Sequence, residues 1–385
     1  MDLSKIEVRF LVALLFAIGG NSYLSQISKI SPSHISYVLG FTLFSISVLH
    51  YKTYKIKFNK IKMQSALLWV AFLAYTLSVS ALNNRLFEWV AESLGLIILV
   101  LVLINSTSLN SNRIRQISLV FAYVSSVFIF IEMANIFLTF GFESLLGYSD
   151  SILMYEIKKS SILYLDTNFT AISCLCTIMV FEELRVKHPS NRHRKVIVFL
   201  LFSLLFLYSR AAIISCVVFY VIKYIGVRRF ILYFLPILFL VLGYKAYDTL
   251  FSDDSFSSKI EIIKNTSEFF AFIDLNKVIF GGGAEFAINA FQIIGSDLGA
   301  HLLFVVIAVN YGLVGLVAYC AIVLWIGSKF SIFHFYIPIT IVSFSMLPIG
   351  FPSYNMALAL IILLSVNNDK KTRDNITGIK RECTN

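Results

Sequence analysis

The chain has 385 residues, of which 58% are hydrophobic and only 14% charged, against about 25% charged in an ordinary soluble domain. A mean hydropathy of +0.81, 36 Phe and only 6 Pro exclude a disordered chain, a collagen-like repeat and a small secreted disulfide scaffold, and leave too little polar surface for a water-facing globule. The net charge of +10 lies in short basic clusters between apolar runs, as topology determinants do, and this argues against a nucleic-acid surface. The expected fold class is an all-α polytopic membrane protein, a single transmembrane domain over residues 1–385.

A bilayer core takes about 20 apolar residues per helix, with a range of about 17–25. Twelve candidate runs, several of them shorter than this, lie near 8–26, 33–49, 63–81, 88–105, 117–140, 166–181, 196–209, 211–225, 230–247, 301–326, 332–349 and 355–366. The first, around Phe10 to Gly20, has no small-residue cleavage site after it and reads as a span and not as a signal peptide. Tyr208, Ser209 and Arg210 fall between the seventh and eighth runs, either as a tight outer turn between two helices or as a kink in one longer helix.

With the N-terminus inside, 23 of the 32 Lys and Arg fall in inner segments, among them the run from Lys52 to Lys62, Arg113 and Arg115, Arg185 to Lys195, and the tail from Lys370 to Arg381. Every inner loop is basic, so the positive-inside rule puts both termini in the cytoplasm. Two outer loops are longer than simple turns, residues 141–165 and 248–300. Long connections of this kind are usually functional or disordered. The second is acidic, has apolar spacing from Ile260 to Ile273 that predicts a short amphipathic helix at the membrane surface, and contains the run Gly281, Gly282, Gly283, a tight backbone turn. No convincing internal repeat is present.

Five cysteines give no framework. Cys174, Cys176, Cys216 and Cys320 lie in apolar runs and read as small hydrophobes. Ionisable groups at membrane depth cost about 2.5–3.5 kcal/mol each on insertion scales, which makes each a functional suspect. Arg210, between two apolar runs, offers a five-donor fork suited to phosphate oxygens; the alternative is a cation snorkelling to the outer headgroups. His301 opens the tenth run directly after the acidic loop. There it can take a proton from a substrate hydroxyl or serve as an interfacial cap. Asp166, Thr167 and Asn168 open the sixth run, where an N-cap belongs, with Lys158 and Lys159 just upstream, within reach of a phosphate or a lipid headgroup. Glu132, near Asn135, and Glu92 read as bundle contacts or as proton relays. No phosphate loop, zinc spacing or dinucleotide fingerprint appears, and no cofactor or metal is expected.

The order of these fragments resembles the O-antigen polymerase (Wzy) and O-antigen ligase superfamily. It runs from the lysines to Asp166-Thr167-Asn168, Tyr208-Ser209-Arg210-Ala211, Phe280 to Gly283, Ala300-His301 and the stretch Asn310 to Gly315. The match covers about Lys158 to Tyr319. It implies that Arg210 holds the diphosphate of an undecaprenyl-linked glycan and that His301 is the catalytic base. Lys158, Lys159, Asp166, Asn168, Gly282 and Glu285 would contact substrate, with Gly312 and Gly315 packing the helix. Glu285 and Asp297 could orient the histidine or replace it. The chain departs from the family pattern in carrying lysines where an arginine is common, Thr167 for a proline, and Leu302 for an asparagine.

The activity so implied is polymerisation of lipid-linked oligosaccharide repeat units on the outer face of a bacterial inner membrane, as a metal-independent glycosyltransferase. Its partners would be the lipid-linked oligosaccharide, membrane lipids and a chain-length regulator, with no nucleic acid. The close alternative is the ligase that moves finished glycan to lipid A–core. The alternative from another class is a non-enzymatic flippase of lipid-linked oligosaccharide.

Overall fold

A computed structural model describes residues 60–105, 111–141, 156–164, 166–234, 254–296, 302–344 and 350–365, with isolated positions at 18, 38, 39, 42 and 236. The described residues are mostly helical and contain no strand. Helices α1 (Lys60–Leu82), α2 (Leu86–Asn105) and α3 (Ser111–Phe140) are followed by α4 (Thr167–Lys187), α5 (Asn191–Phe206) and α6 (Arg210–Ile225). Then come α7 (Asp254–Phe272), α8 (Leu275–Phe280), α9 (Leu303–Phe330), α10 (Phe333–Val342) and α11 (Pro352–Ser365). Four of them, α1, α2, α3 and α9, are long and apolar enough to cross a membrane. A fifth crossing is available if α6 is joined to the turn Val227–Tyr233, from which it is bent by 117° at Gly226 (φ 91°).

The expected spans within the described residues correspond to helices, with shifted ends. Helix α3 begins at Ser111 and so takes in Arg113 and Arg115, whose long stems can reach the headgroups from inside a helix. The expected spans at 8–26 and 33–49, most of 230–247 and the tail lie outside the described residues. Tyr208 has φ 52°, a left-handed conformation that a continuing helix does not allow, so residues 207–209 form a tight turn and α6 begins at Arg210. In the second long loop α7 extends over 19 residues, with Ile262 and Phe269 buried and Ile263 and Phe272 exposed.

The chain divides into two compact units. The first comprises residues 1–67, 97–213 and 351–385. Here α4 packs against α3 and α5, and its residues from Thr170 to Leu184 are buried on every face. A helix apolar all round belongs in the centre of a bundle. Helix α11 is buried in the same way from Tyr354 to Leu364.

The second unit comprises residues 68–96 and 214–350, and α8 and α10 pack on α9. One core joins α7 to the start of α9 through Ile262, Phe269, Phe291, Leu302 and Val306. Another contact joins α1 to α9 through Trp69, Phe72, Tyr311 and Tyr319, with ring centroids 6.1–6.4 Å apart.

Hydrogen bonds join helix ends within each unit. In the first unit Thr167 Oγ1 donates to Leu207 O at 3.1 Å, and Lys187 Nζ donates to Leu364 O. In the second, Leu303 N donates to Ser343 O at 3.1 Å and Arg85 Nη1 to Ala284 O at 3.1 Å.

Candidate functional site

Helix α1 ends in a short turn. Asn83 N bonds back to Val79 O at 3.2 Å and Arg85 N to Ser80 O at 2.8 Å, while Asn84 takes φ 56°, a conformation asparagine tolerates better than most residues. Helix α2 starts one residue later, with Glu88 in its first turn, a favourable position for an anion at the positive end of a helix.

The glycine run docks against this turn and against a break in α9. At Gly312 the backbone leaves the helix, with φ 66° and ψ −177°, a combination open essentially to glycine alone. The break strands the carbonyls of residues 309, 310 and 311, and each is satisfied from outside the helix. Gly282 N donates to Val309 O at 3.1 Å and Gly283 N to Asn310 O at 2.8 Å. The Tyr75 hydroxyl donates to Tyr311 O at 2.8 Å. Re-satisfying freed backbone groups from neighbouring elements is what lets a broken helix persist at membrane depth. The fit is tight, since a Cβ on Gly281 would lie 2.2 Å from Asn310 O. Gly282, expected to contact substrate, has a local role visible here: a Cβ there would lie 2.0 Å from the Phe286 ring. That ring carries Arg85 Cζ and Lys277 Nζ, each 5.5 Å from its centroid.

Glu92 ties the assembly together. Its carboxylate accepts from Glu285 N at 3.2 Å, from Asn310 Nδ2 at 3.1 and 3.3 Å and from the Tyr311 hydroxyl at 3.1 Å. Asn310 Oδ1 accepts from Ala287 N at 2.7 Å, so that amide spends both its ends on the network. Ser80 Oγ accepts from Ala284 N at 3.1 Å. Glu285 itself is half-buried, with φ 55°, and it lines an open cleft of about 470 Å³ together with Asn83, Asn84, Arg85, Glu88 and Asn289.

The remaining expected residues belong to the first unit. Asp166 caps α4, its Oδ1 accepting from Asn168 N at 2.9 Å, and its Oδ2 pairs with Lys159 Nζ at 3.1 Å. Lys159 and Asp166 are thus brought together, and Asn168 contributes its backbone to the cap. Lys158 is half-buried on the turn just before. Arg210 is exposed as the first residue of α6, a cation at the end of a helix where backbone N–H groups already favour anions. Glu132 is fully buried and accepts from Leu163 N at 3.3 Å. One turn on, Asn135 Nδ2 donates to Ser160 O at 3.3 Å. The pair latches residues 160–163 onto α3, which is the bundle-contact reading of Glu132. His301 and Asp297 lie outside the described residues, and among those described no three His, Cys, Asp or Glu side chains converge as a metal cage.

Glu92 stood out in the sequence as an ionisable group in an apolar run, but its partners did not. Asn310 carried the same signal, a costly amide within an apolar stretch two residues before a glycine. Arg85 and Asn84 sit in a short polar turn with no such signal. No family model matches the sequence, and no curated protein shows significant similarity to it.

Proposed function

We propose that the chain is a membrane-embedded glycosyltransferase that polymerises polyprenyl-diphosphate-linked oligosaccharide repeat units, of the O-antigen polymerase kind. The observation that carries this reading is the union of Phe280 to Gly283 with Asn310 to Gly315. Two fragments on which the resemblance rests, far apart in the chain, interlock as one element beside a polar cleft.

In the reaction the acceptor hydroxyl oxygen bonds to the anomeric carbon of the donor. The bond from that carbon to the diphosphate oxygen breaks, and the diphosphate leaves with the electron pair. Arg210 stabilises the charge that builds on the leaving group, because its fork is exposed at a helix start and can meet two phosphate oxygens. His301 takes the proton of the acceptor hydroxyl. Lys158 is a second cation near the diphosphate, whereas Lys159 contributes through Asp166 and the fold of the α4 cap. The site would face the periplasm, with both termini in the cytoplasm.

The test is the surface glycan of cells lacking the chain. Loss of a polymerase leaves a single repeat unit on the lipid core, and complementation restores the ladder. A bare core would point to the ligase, and accumulation of lipid-linked units on the cytoplasmic leaflet would point to the flippase.

A further inference from the structure

The cleft beside Glu285 has a lining unlike the rest of the second unit, which is dominated by aliphatic and aromatic side chains. Its wall is built from three primary amides (Asn83, Asn84, Asn289), one guanidinium (Arg85) and two carboxylates (Glu88, Glu285). Primary amides present a donor and an acceptor side by side, the pattern that adjacent hydroxyls on a sugar ring reciprocate. Two of the six are held in left-handed backbone, Asn84 at φ 56° and Glu285 at φ 55°. Such conformations cost about 1–3 kcal/mol each and persist where the surroundings enforce them.

The surroundings do enforce them: the Asn84 turn is closed by Asn84 N to Ala81 O at 3.2 Å and by Arg85 N to Ser80 O at 2.8 Å. Glu285 N is fixed by Glu92 at 3.2 Å, and Arg85 is fixed by Ala284 O at 3.1 Å and by the Phe286 ring. Asn84, Glu88, Glu285 and Asn289 make no side-chain hydrogen bond among the described residues. Their donors and acceptors are therefore presented outward on a rigid frame. The charge balance is selective as well. Among the lining side chains two carboxylates outnumber one guanidinium, and Lys277, over the same Phe286 ring as Arg85, is not part of the lining, so a carboxylate on the ligand meets a wall of net negative charge.

We propose that this cleft is a binding subsite for a neutral or amino-sugar ring of the glycan substrate, set by Asn84, Glu88, Glu285 and Asn289, and that it disfavours uronic acids. This inference rests on the glycosyltransferase reading for the identity of the ligand, but not for the binding itself. A pyranose ring with several hydroxyls fits the volume, and Ile288, also at the rim, offers an apolar contact for the C–H face of a sugar.

The test uses the detergent-purified full chain and saturation-transfer NMR. The probes are the oligosaccharides released by mild acid from the lipid fraction of the cells that make the chain, and the same mixture with uronate carboxyls reduced to alcohols. Asn84→Gly removes one amide while relieving the left-handed backbone, and Glu88→Gln keeps the size of a half-buried side chain while removing its charge, so both variants should fold. The expected result is saturation transfer to ring protons with wild type that falls at least 5-fold in Asn84→Gly. Carboxyl reduction should leave the wild-type signal unchanged or raise it. No transfer with wild type, or equal transfer with wild type and Asn84→Gly, would overturn the subsite. A signal that falls on carboxyl reduction, or rises in Glu88→Gln only for uronate-bearing probes while the neutral ones never bind, would overturn the neutral-sugar assignment. Turnover of lipid-linked repeats, measured in parallel, separates the two ideas. Binding without any turnover removes the transferase and keeps the subsite, and turnover with no binding at the cleft does the reverse.

Discussion

The break in α9 gives the sharpest test of how the second unit holds its shape. Replacing Gly312 by Ala adds one methyl group to a backbone at φ 66° and ψ −177°. The new Cβ would lie 2.1 Å from Ile279 O and 2.4 Å from Ile279 C. Those are backbone atoms, so no side chain can swing aside. Either α9 straightens at the break or α8 retreats by about 1 Å, and the bonds from Gly282 and Gly283 to residues 309 and 310 open with it. Conformational strain of about 1–3 kcal/mol adds to overpacking of about 1–3 kcal/mol, for a total of about 2–6 kcal/mol. Gly295 is the matched control. It also has positive φ, 77°, but nothing lies within 4 Å of its would-be Cβ, so Gly295→Ala should cost only about 1–2 kcal/mol of backbone strain. Thermal unfolding of the detergent-solubilised protein, followed by tryptophan fluorescence, should show Gly312→Ala lowered by roughly 10 °C and Gly295→Ala by a few degrees, at about 2–4 °C per kcal/mol. Hydrogen exchange adds a local reading, with the amides of Gly282 and Gly283 losing protection only in the Gly312 variant. Equal midpoints for the two variants, or undiminished protection of those amides, would refute the interlock.

Four further outcomes follow from the same geometry. Asn310→Asp keeps the acceptor for Ala287 N but sets a second carboxylate against Glu92, so it should destabilise more than Asn310→Ala in the same unfolding assay. Arg210→Ala and Arg210→Lys should both abolish glycan polymerisation at normal protein levels, because two phosphate oxygens need a fork; a fully active Lys variant would reduce the residue to a point charge. His301→Gln should lower turnover by about 10²–10⁴-fold while EDTA leaves wild type active, and loss on chelation restored by Mg²⁺ would recast the acidic loop as a metal site. His193, at the first turn of α5, has its pKa lowered by burial and by the nearby Arg115 charge from the ordinary 6.5. The folded state then binds fewer protons than the unfolded chain. The stability this contributes is present above pH 6.5 and lost as pH falls below it, and His193→Phe should flatten unfolding midpoints measured between pH 7.5 and 5.5.

Hydropathy located α1, α2 and α9 to within a few residues, and α3 apart from its first six, because a span is a one-dimensional property of composition. Asp166 was legible as a cap and the glycine run as a turn, since both are local. The length of α7 was not, because the apolar spacing that predicts a short helix starts at Ile260, whereas the helix begins at Asp254, in a Ser-rich stretch without that pattern. The Glu92 network was legible only as separate residues. Glu92 and Asn310 lie 218 positions apart, and nothing local to either says that they meet. Gly312 looked like a packing glycine within a continuous helix. Its role as a break depends on a loop that arrives from elsewhere to take over the stranded carbonyls.

The burial of α11 has a consequence for biosynthesis. The ribosome makes residues 97–213 of the first unit well before residues 351–365, yet α11 is enclosed on every side from Tyr354 to Leu364. Its place must therefore stay vacant, or be filled by lipid, while the intervening segment is translated and inserted. The N-terminal part of that unit cannot reach its final packing as it emerges. Its core closes only when this later-synthesised helix slides in, so a chain stalled before residue 351 would carry an open groove that quality-control proteases can recognise.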